Sequence, residues 1–393
     1  MIPTRRQTLR RTFLTAAFVA TAMVPGCGTT AVSSQPVAEL RLHDISSESA
    51  IPPIAPIPEV PTTIGLADSD LYGLAPDRIG DAIGLIRASG VTNIRIMIPW
   101  AGVQLTPTTY DWSVVDRMVE SAVAHGMTVL ATLNSTPSWA VLPGVPAIRG
   151  RPASADAFGS FAAAVAEHFQ GKVAAYEIWN EPNAAGFFAP TPDPGFFVNL
   201  LKSAYPAIKK ADPAAIVITG GLGPIVDLAP IAMDAVKFVQ QMYAAGAKNY
   251  FDAIGYHPYQ YTMKFSEGGY HPDSPMNQLA AMRQLMLANG DGAKRIWATE
   301  YGEPSSIVGE AGQAAYLEDM LSKWRSLPYA GPIYVYTMRD RDSRSTEGDD
   351  TLGMYRSDGS PKPVQQVIAT YAAIRGLPVR QVDPGPGNSS PPR

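Results

Sequence analysis

TTIGLADSDLYG, residues 62–73, decides between two folds. TTIGLA reads as a strand, and a helix-like segment follows at 75–88. Short apolar runs then alternate with longer amphipathic ones. TNIRIMI (92–98) precedes a helical segment beginning at Asp111, MTVLATL (127–133) one at about 154–170, VAAYEIW (173–179) one at 194–210, and AAIVITG (214–220) one at 231–245. FDAIGY (251–256) precedes 275–289, RIWATE (295–300) precedes 310–325, and GPIYVYT (331–337) precedes 362–374. Eight strand-then-helix units suit an open doubly wound sheet or a closed barrel. The open sheet should place a glycine-rich phosphate loop after its first strand, and ADSDLYG offers two aspartates and a tyrosine instead. The expected fold is therefore α/β, a (β/α)8 TIM barrel forming a single main domain over residues 61–376.

The flanks stand outside this pattern. Residues 1–27 hold Arg5, Arg6, Arg10 and Arg11, then a short apolar run, then Cys27, the one cysteine of the chain. The run is short for a membrane-spanning helix, which needs about 20 residues. Its paired arginines followed by Thr12, Phe13 and Leu14 resemble a twin-arginine export signal, and Val24-Pro25-Gly26-Cys27 resembles a bacterial lipoprotein box. These resemblances imply an exported protein, either a cell-envelope lipoprotein anchored at Cys27 or, if an ordinary signal is cleaved nearby, a secreted one. Residues 28–60 are rich in Pro, Ser and Ala and read as an extended spacer; 377–393 form a Pro/Gly-rich tail. The 393 residues carry a formal charge of -4, which becomes -8 without the four leader arginines. Such a balance argues against nucleic acid as a partner and leaves a lipid anchor as the expected membrane contact. The oligomeric state has no sequence signature.

Barrel active sites gather where strands run into the following helices. The second strand holds Arg95 and ends near Trp100; the third leads to Asn134, Ser135 and Trp139. The fourth ends at Asn180, Glu181 and Asn183, and the sixth at Tyr256, His257 and Tyr259. The seventh ends at Glu300, followed by Tyr301 and Glu303, and the eighth supplies Tyr334, Tyr336 and Arg339. Glu181 and Glu300 match in kind, each closing a buried-looking run. Two carboxylates across a cleft are the minimum equipment for glycosidic hydrolysis, one protonating the departing oxygen while the other attacks the anomeric carbon or activates water. No metal is expected, because none of His43, His125, His168, His257 and His271 belongs to an HExxH or other close ligand pair. The acidic run at 340–350 reads as a solvated loop bordering the mouth rather than a calcium loop. No phosphate cradle or nucleotide fingerprint appears, so no cofactor is expected.

WNEPN (179–183) and ATEYG (298–302) at these strand ends resemble the clan of retaining glycoside hydrolases built on a (β/α)8 barrel. TPSWA after the third strand, the EIWNEPN form and the closing DGSPKP segment look most like its family 39 β-xylosidase and α-iduronidase branch and related endoglycosidases. The resemblance implies that Glu181 is the general acid/base, Glu300 the nucleophile, and Asn180 the partner of the sugar hydroxyl beside the reacting carbon. Arg95 would keep Glu300 charged or else neutralise Glu177. His257 is the favoured residue to orient the nucleophile, with Tyr259 second. Trp100, Trp139, Tyr334 and Tyr336 suit either sugar stacking or loop packing. The expected partner is an oligo- or polysaccharide; the alternative is a carbohydrate-binding barrel without catalysis, which should have lost one of the carboxylates. Sugar, linkage and exo or endo action depend on the loops at 139–153, 184–194 and 257–274. Arg339 and Arg341 are the basic residues near enough to suggest an acidic sugar.

Overall fold

The computed structural model describes residues 56–374. The export signal with Cys27, most of the 28–60 spacer and the 377–393 tail lie outside them. Eight parallel strands close a barrel: β1 (Ile64–Ala67), β2 (Asn93–Pro99), β3 (Thr128–Asn134), β4 (Ala175–Asn180), β5 (Ile216–Gly221), β6 (Ala253–Tyr256), β7 (Arg295–Tyr301) and β8 (Ala330–Tyr336). They pair in sequence order, and β8 closes on β1 with Ala67 opposite Tyr336. Each strand is followed by a helix: α1 (Pro76–Ala88), α2 (Ser113–Ala124), α3 (Ala155–His168), α4 (Pro194–Ala211), α5 (Ala235–Ala244), α6 (Pro275–Ala288), α7 (Ser305–Arg325) and α8 (Pro363–Ala373). The expected (β/α)8 barrel is the observed fold.

Strand alternation explains the layers. In β2, Ile94, Ile96 and Ile98 join the apolar shell under the helices, while Asn93 and Arg95 take the opposite parity. Ala67, Leu130, Ala175, Ile218, Ala253, Trp297 and Tyr334, from every strand except β2, form a separate cluster filling the barrel. A fully buried side chain of the larger kind contributes ~1.5–3 kcal/mol, so this filling makes the barrel a core and not a pore. Polar residues are buried in these strands as well: Arg95, Thr132, Glu177, Thr219 and Thr299. Helix starts are written locally. Ser154 Oγ accepts from Ala157 N at 3.2 Å, Asp193 Oδ1 from Phe196 N at 2.9 Å, and Ser274 Oγ from Asn277 N at 3.2 Å.

Several boundaries differ from the sequence pattern for identifiable reasons. α7 extends back to Ser305, because a first turn precedes Gly309, whose φ of +73° interrupts the helical path. α5 starts at Ala235 instead of 231, where Asp234 Oδ1 accepts from the amides of Val236 and Lys237. The β2–α2 connection contains a helical turn (Trp100–Val103) and a small hairpin (Gln104–Thr106 with Thr109–Tyr110), both too short to show a period. The last residues of the expected spacer belong with the barrel: Ile57 is buried against the interior cluster, and Trp297 Nε1 donates to Glu59 Oε2 at 3.3 Å.

Candidate active site

Two local departures from strand geometry aim the glutamates. In β4 the inward parity of Ala175 and Glu177 would continue at Trp179. Instead Trp179 takes a φ of +74° and packs outward, 5.9 Å from Phe158 and 5.4 Å from Phe188, its Nε1 donating to Phe187 O at 2.9 Å. Glu181 also has a positive φ, +42°, and its amide donates to Gly221 O at 2.9 Å. Such conformations are sparsely populated for non-glycine residues and persist where neighbours enforce them. Asn183 ties the loop beyond Glu181 to the chain after β5. Its Oδ1 accepts from Gly223 N at 3.0 Å, and its Nδ2 donates to Gly223 O at 2.9 Å and Met233 O at 3.0 Å.

β7 uses an extra residue. Ala298 pairs with Ile333 and Tyr301 with Val335, three steps on one strand against two on the other. Plain alternation would put Glu300 beside Ile296 and Ala298 in the outer shell; the irregularity turns it to Arg95 inside.

Arg95 is the hub. Its Nη1 donates to Glu300 Oε1 at 2.6 Å, its Nε to Glu177 Oε2 at 2.7 Å, and its Nη2 to Asn180 Oδ1 at 2.9 Å. Thr132 Oγ1 supplies Glu177 Oε2 with a second donor at 2.8 Å. Both sequence alternatives for Arg95 therefore hold together, since one guanidinium fork reaches both carboxylates. The other oxygen of Glu300 accepts from Tyr259 OH at 2.8 Å. Burial pushes the Glu300 pKa up, but the charges of His257 and Arg95 and the hydrogen bonds from Tyr259 and Arg95 outweigh it, and the net displacement is downward.

His257, favoured as the residue orienting the nucleophile, sits primarily on the other acid. Its Nδ1 is 3.0 Å from Glu181 Oε1 and 3.7 Å from Glu300 Oε2, while Nε2 is 3.1 Å from Thr299 Oγ1. Tyr259 is the one that donates to Glu300, because the turn after β6 carries its hydroxyl past the imidazole. Burial opposes charging of His257, yet Glu300 by charge and Glu181 by hydrogen bond raise its pKa overall. The approach requires Gly221: a Cβ there would stand 2.1 Å from His257 Nε2.

The aromatic expectations divide. Trp100 is fully buried, stacked on Phe161 at 5.4 Å and donating to Gln104 Oε1 at 2.6 Å, so it is core and not a sugar platform. Tyr334 belongs to the barrel filling. Trp139 is half-buried, edge-on to Trp100 at 5.5 Å, with Nε1 donating to Gln104 O at 3.2 Å. Tyr336 keeps partial exposure at the end of β8, and its pKa is raised by burial and then by the charge of Glu300. Asn134 accepts from Ser135 Oγ at 3.0 Å and makes no hydrogen bond to either glutamate. Arg341 is engaged by Asp70 at 2.8 and 3.0 Å, whereas Arg339 has no ion pair among the described residues.

Tyr261 was not anticipated. Its ring stands edge-on to that of Tyr259 at 5.9 Å, and burial, followed by the charges of Asp349, Glu303, Glu181 and Glu300, pushes its pKa far up. The acidic 340–350 segment meets the chain just beyond β1, where Arg341 donates to Asp70. The signal was present as a third aromatic in HPYQY, two residues beyond Tyr259. Glu181, His257 and Glu300 also present donor atoms within 4.8 Å of one another, a set that can chelate a divalent ion.

The cellulase model (glycosyl hydrolase family 5) matches residues 63–326. No curated protein matches. Similar solved structures include a family 39 glycoside hydrolase from Bacteroides cellulosilyticus WH2 (24% identity, TM-score 0.64, 81% of this chain and 66% of that one). Others are a β-xylosidase from Caulobacter crescentus CB15 (17%, TM-score 0.63, 82% and 70%) and a GH5_18 protein from Bifidobacterium longum subsp. infantis (16%, TM-score 0.58, 81% and 79%). At these identities the structural likeness speaks to fold alone, and this chain spans 66% of the Bacteroides protein's length. Families 5 and 39 lie in the clan that WNEPN and ATEYG resemble, with family 5 supplying the matching sequence model.

Proposed function

The chain belongs to the cellulase family, glycosyl hydrolase family 5, and from that premise we propose that it is a retaining glycoside hydrolase acting on cell-envelope or extracellular saccharides. Glu181 is the acid/base and Glu300 the nucleophile. The observation that carries the assignment is the unequal treatment of the two acids: Glu300 receives a guanidinium and a phenol, while Glu181 receives the imidazole alone. A carboxylate held ionised is suited to attack, which leaves the proton transfers to the acid facing it.

The sequence of bonds follows. Glu300 attacks the anomeric carbon while Glu181 gives its proton to the departing glycosidic oxygen, leaving a glycosyl ester on Glu300. Glu181, now ionised, takes a proton from water as that water attacks the same carbon, and Glu300 departs as carboxylate. One oxygen of each acid lies within 4.8 Å of the other, a close approach that favours the retaining arrangement over one holding a water between the carboxyls. Asn180 is oriented because Arg95 occupies its Oδ1, leaving Nδ2 to donate to the hydroxyl beside the reacting carbon. A barrel that merely bound sugar would have no use for an ionised Glu300 facing a second acid. Export by the twin-arginine route, with Cys27 as lipid anchor, would put this site in the envelope.

The test is turnover on a panel of aryl glycosides and envelope oligosaccharides, with the first-formed anomer followed by NMR, alongside Glu181→Ala and Glu300→Ala. Retained configuration and loss of activity in both variants are expected. Full activity in either variant removes that residue from the chemistry, and an inverted product would make Glu300 a base instead of a nucleophile.

A further inference from the structure

Glu303 is a second carboxyl behind the nucleophile strand, and the mechanism above does not use it. It is 2% exposed. Its Oε1 accepts from Tyr301 OH at 2.9 Å, while Oε2 is buried without a hydrogen-bond partner. One other buried oxygen nearby shares that condition, Oε1 of Gln313 on α7. The orientation of the Gln313 amide is fixed from its other end: Nε2 donates to Glu303 O at 2.8 Å, Gly353 O at 3.3 Å and Thr351 O at 3.4 Å. Glu303 and Gln313 line one cavity of ≈ 10 Å³, with Gly302 and Leu352 among its walls. That is room for about one water.

Two buried acceptors and no donor form an unstable arrangement. An ionised carboxylate in such a place would lack compensation, and an unsatisfied buried polar group already destabilises by ~1–3 kcal/mol, more when charged. A neutral carboxyl resolves it, because one oxygen still accepts from Tyr301 and the other carries a proton to donate. Burial correspondingly pushes the Glu303 pKa up to about 8.

Tyr301 connects this carboxyl to the reacting groups. It directly follows Glu300, and its ring lies near-parallel to that of Tyr259 at 6.4 Å, the phenol that donates to the nucleophile. Gly302 then runs so close to β8 that a Cβ would stand 2.1 Å from Tyr336 O. We infer that Glu303 is a positioning residue acting as a neutral carboxylic acid: accepting from Tyr301 and donating into the cavity toward Gln313, it holds the wall behind Tyr259 and so the hydrogen bond on Glu300. The inference rests on Glu300 being the nucleophile.

Glutamine reproduces a neutral carboxyl, with one oxygen to accept and an N–H to donate, and leucine reproduces neither. On the best aryl glycoside of the panel, Glu303→Gln keeps kcat within about threefold of wild type. Glu303→Leu lowers kcat by ~10-fold to 100-fold, the scale of a small misplacement of reacting groups, with KM changed less than about twofold. Should Glu303→Leu fail to fold, Tyr301→Phe breaks the same tie from the other side and lowers kcat in the same way. Wild-type kcat in Glu303→Leu or Tyr301→Phe overturns the inference, as does an equal loss in Glu303→Gln and Glu303→Leu. Glu300→Ala, run beside them, separates the two levels: activity there defeats the glycosidase assignment itself, whereas inactivity there with unchanged kcat in Glu303→Leu defeats the role of Glu303 alone.

Discussion

Arg95 Nη1 and Glu300 Oε1 lie 2.6 Å apart, and the same guanidinium holds the fully buried Glu177 at 2.7 Å. A strand residue thus serves the fold and the site with one planar fork. Arg95→Lys retains charge but not the three-way geometry, so kcat/KM is expected to fall by ~10-fold or more. Arg95→Met leaves Glu177 buried and unpaired, a change that destabilises by ~3–5 kcal/mol, and Arg95→Met with Glu177→Met recovers part of that loss. Urea denaturation of the single and double variants checks the comparison; a double variant less stable than Arg95→Met would contradict it.

Tyr259 is one of the groups holding the Glu300 pKa down. Its removal in Tyr259→Phe takes away a donor to the ionised form, so the Glu300 pKa rises. The acidic limb of kcat/KM, which reports ionisation of the nucleophile in free enzyme, should move to higher pH, with the plateau lowered by ~10-fold or more. A limb that stays in place while the plateau falls would show that the phenol does not set the charge on Glu300.

Glu303 makes a separate prediction about stability. Its folded-state pKa is raised from the usual 4.5 to about 8, so between those values the folded chain keeps a proton that the unfolded chain releases. The stabilisation from this group is complete below about pH 4.5, falls as pH rises, and is gone above about pH 8. Glu303→Gln lacks that titration. The melting temperature of Glu303→Gln relative to wild type should therefore climb from pH 5 to pH 8 and level off beyond. A difference independent of pH would mean that Glu303 ionises normally in the fold.

Trp100 distinguishes packing from recognition. With its ring enclosed by Phe161, Phe158 and Trp139, Trp100→Ala should destabilise by ~3–5 kcal/mol while leaving KM unchanged at a temperature where the variant remains folded. A raised KM without loss of stability would restore it to the sugar site.

The course of the chain explains why some of this was legible before the structure. Short apolar runs from TTIGLA to GPIYVYT report strands buried on both faces, and each of the eight runs falls on a strand of the barrel. Glu181 and Glu300 were legible because strand ends in a barrel converge. The aim of each was not, since it depends on the backbone breaking alternation: a left-handed Trp179 on β4 and an extra residue on β7. The partners of each acid were half legible. HPYQY announced polar aromatics, but which of His257 and Tyr259 meets which glutamate is set by a loop path without a period. Trp100 was ambiguous because a tryptophan after a strand reads alike whether it closes over sugar or over Phe161. Asn183, Glu303 and Gln313 act through backbone carbonyls, amides and a cavity formed by segments distant in sequence, contacts that residue type alone does not encode.

Double displacement through Glu300 is the central claim, and trapping the intermediate tests it most directly. The enzyme would be incubated with the 2-deoxy-2-fluoro aryl glycoside of its preferred sugar, digested, and mapped by mass spectrometry. The account predicts one added fluoroglycosyl group on the peptide containing Glu300, absent from Glu300→Ala. A glycosyl ester on another residue, or hydrolysis of the preferred glycoside with inverted configuration and no ester, would contradict it.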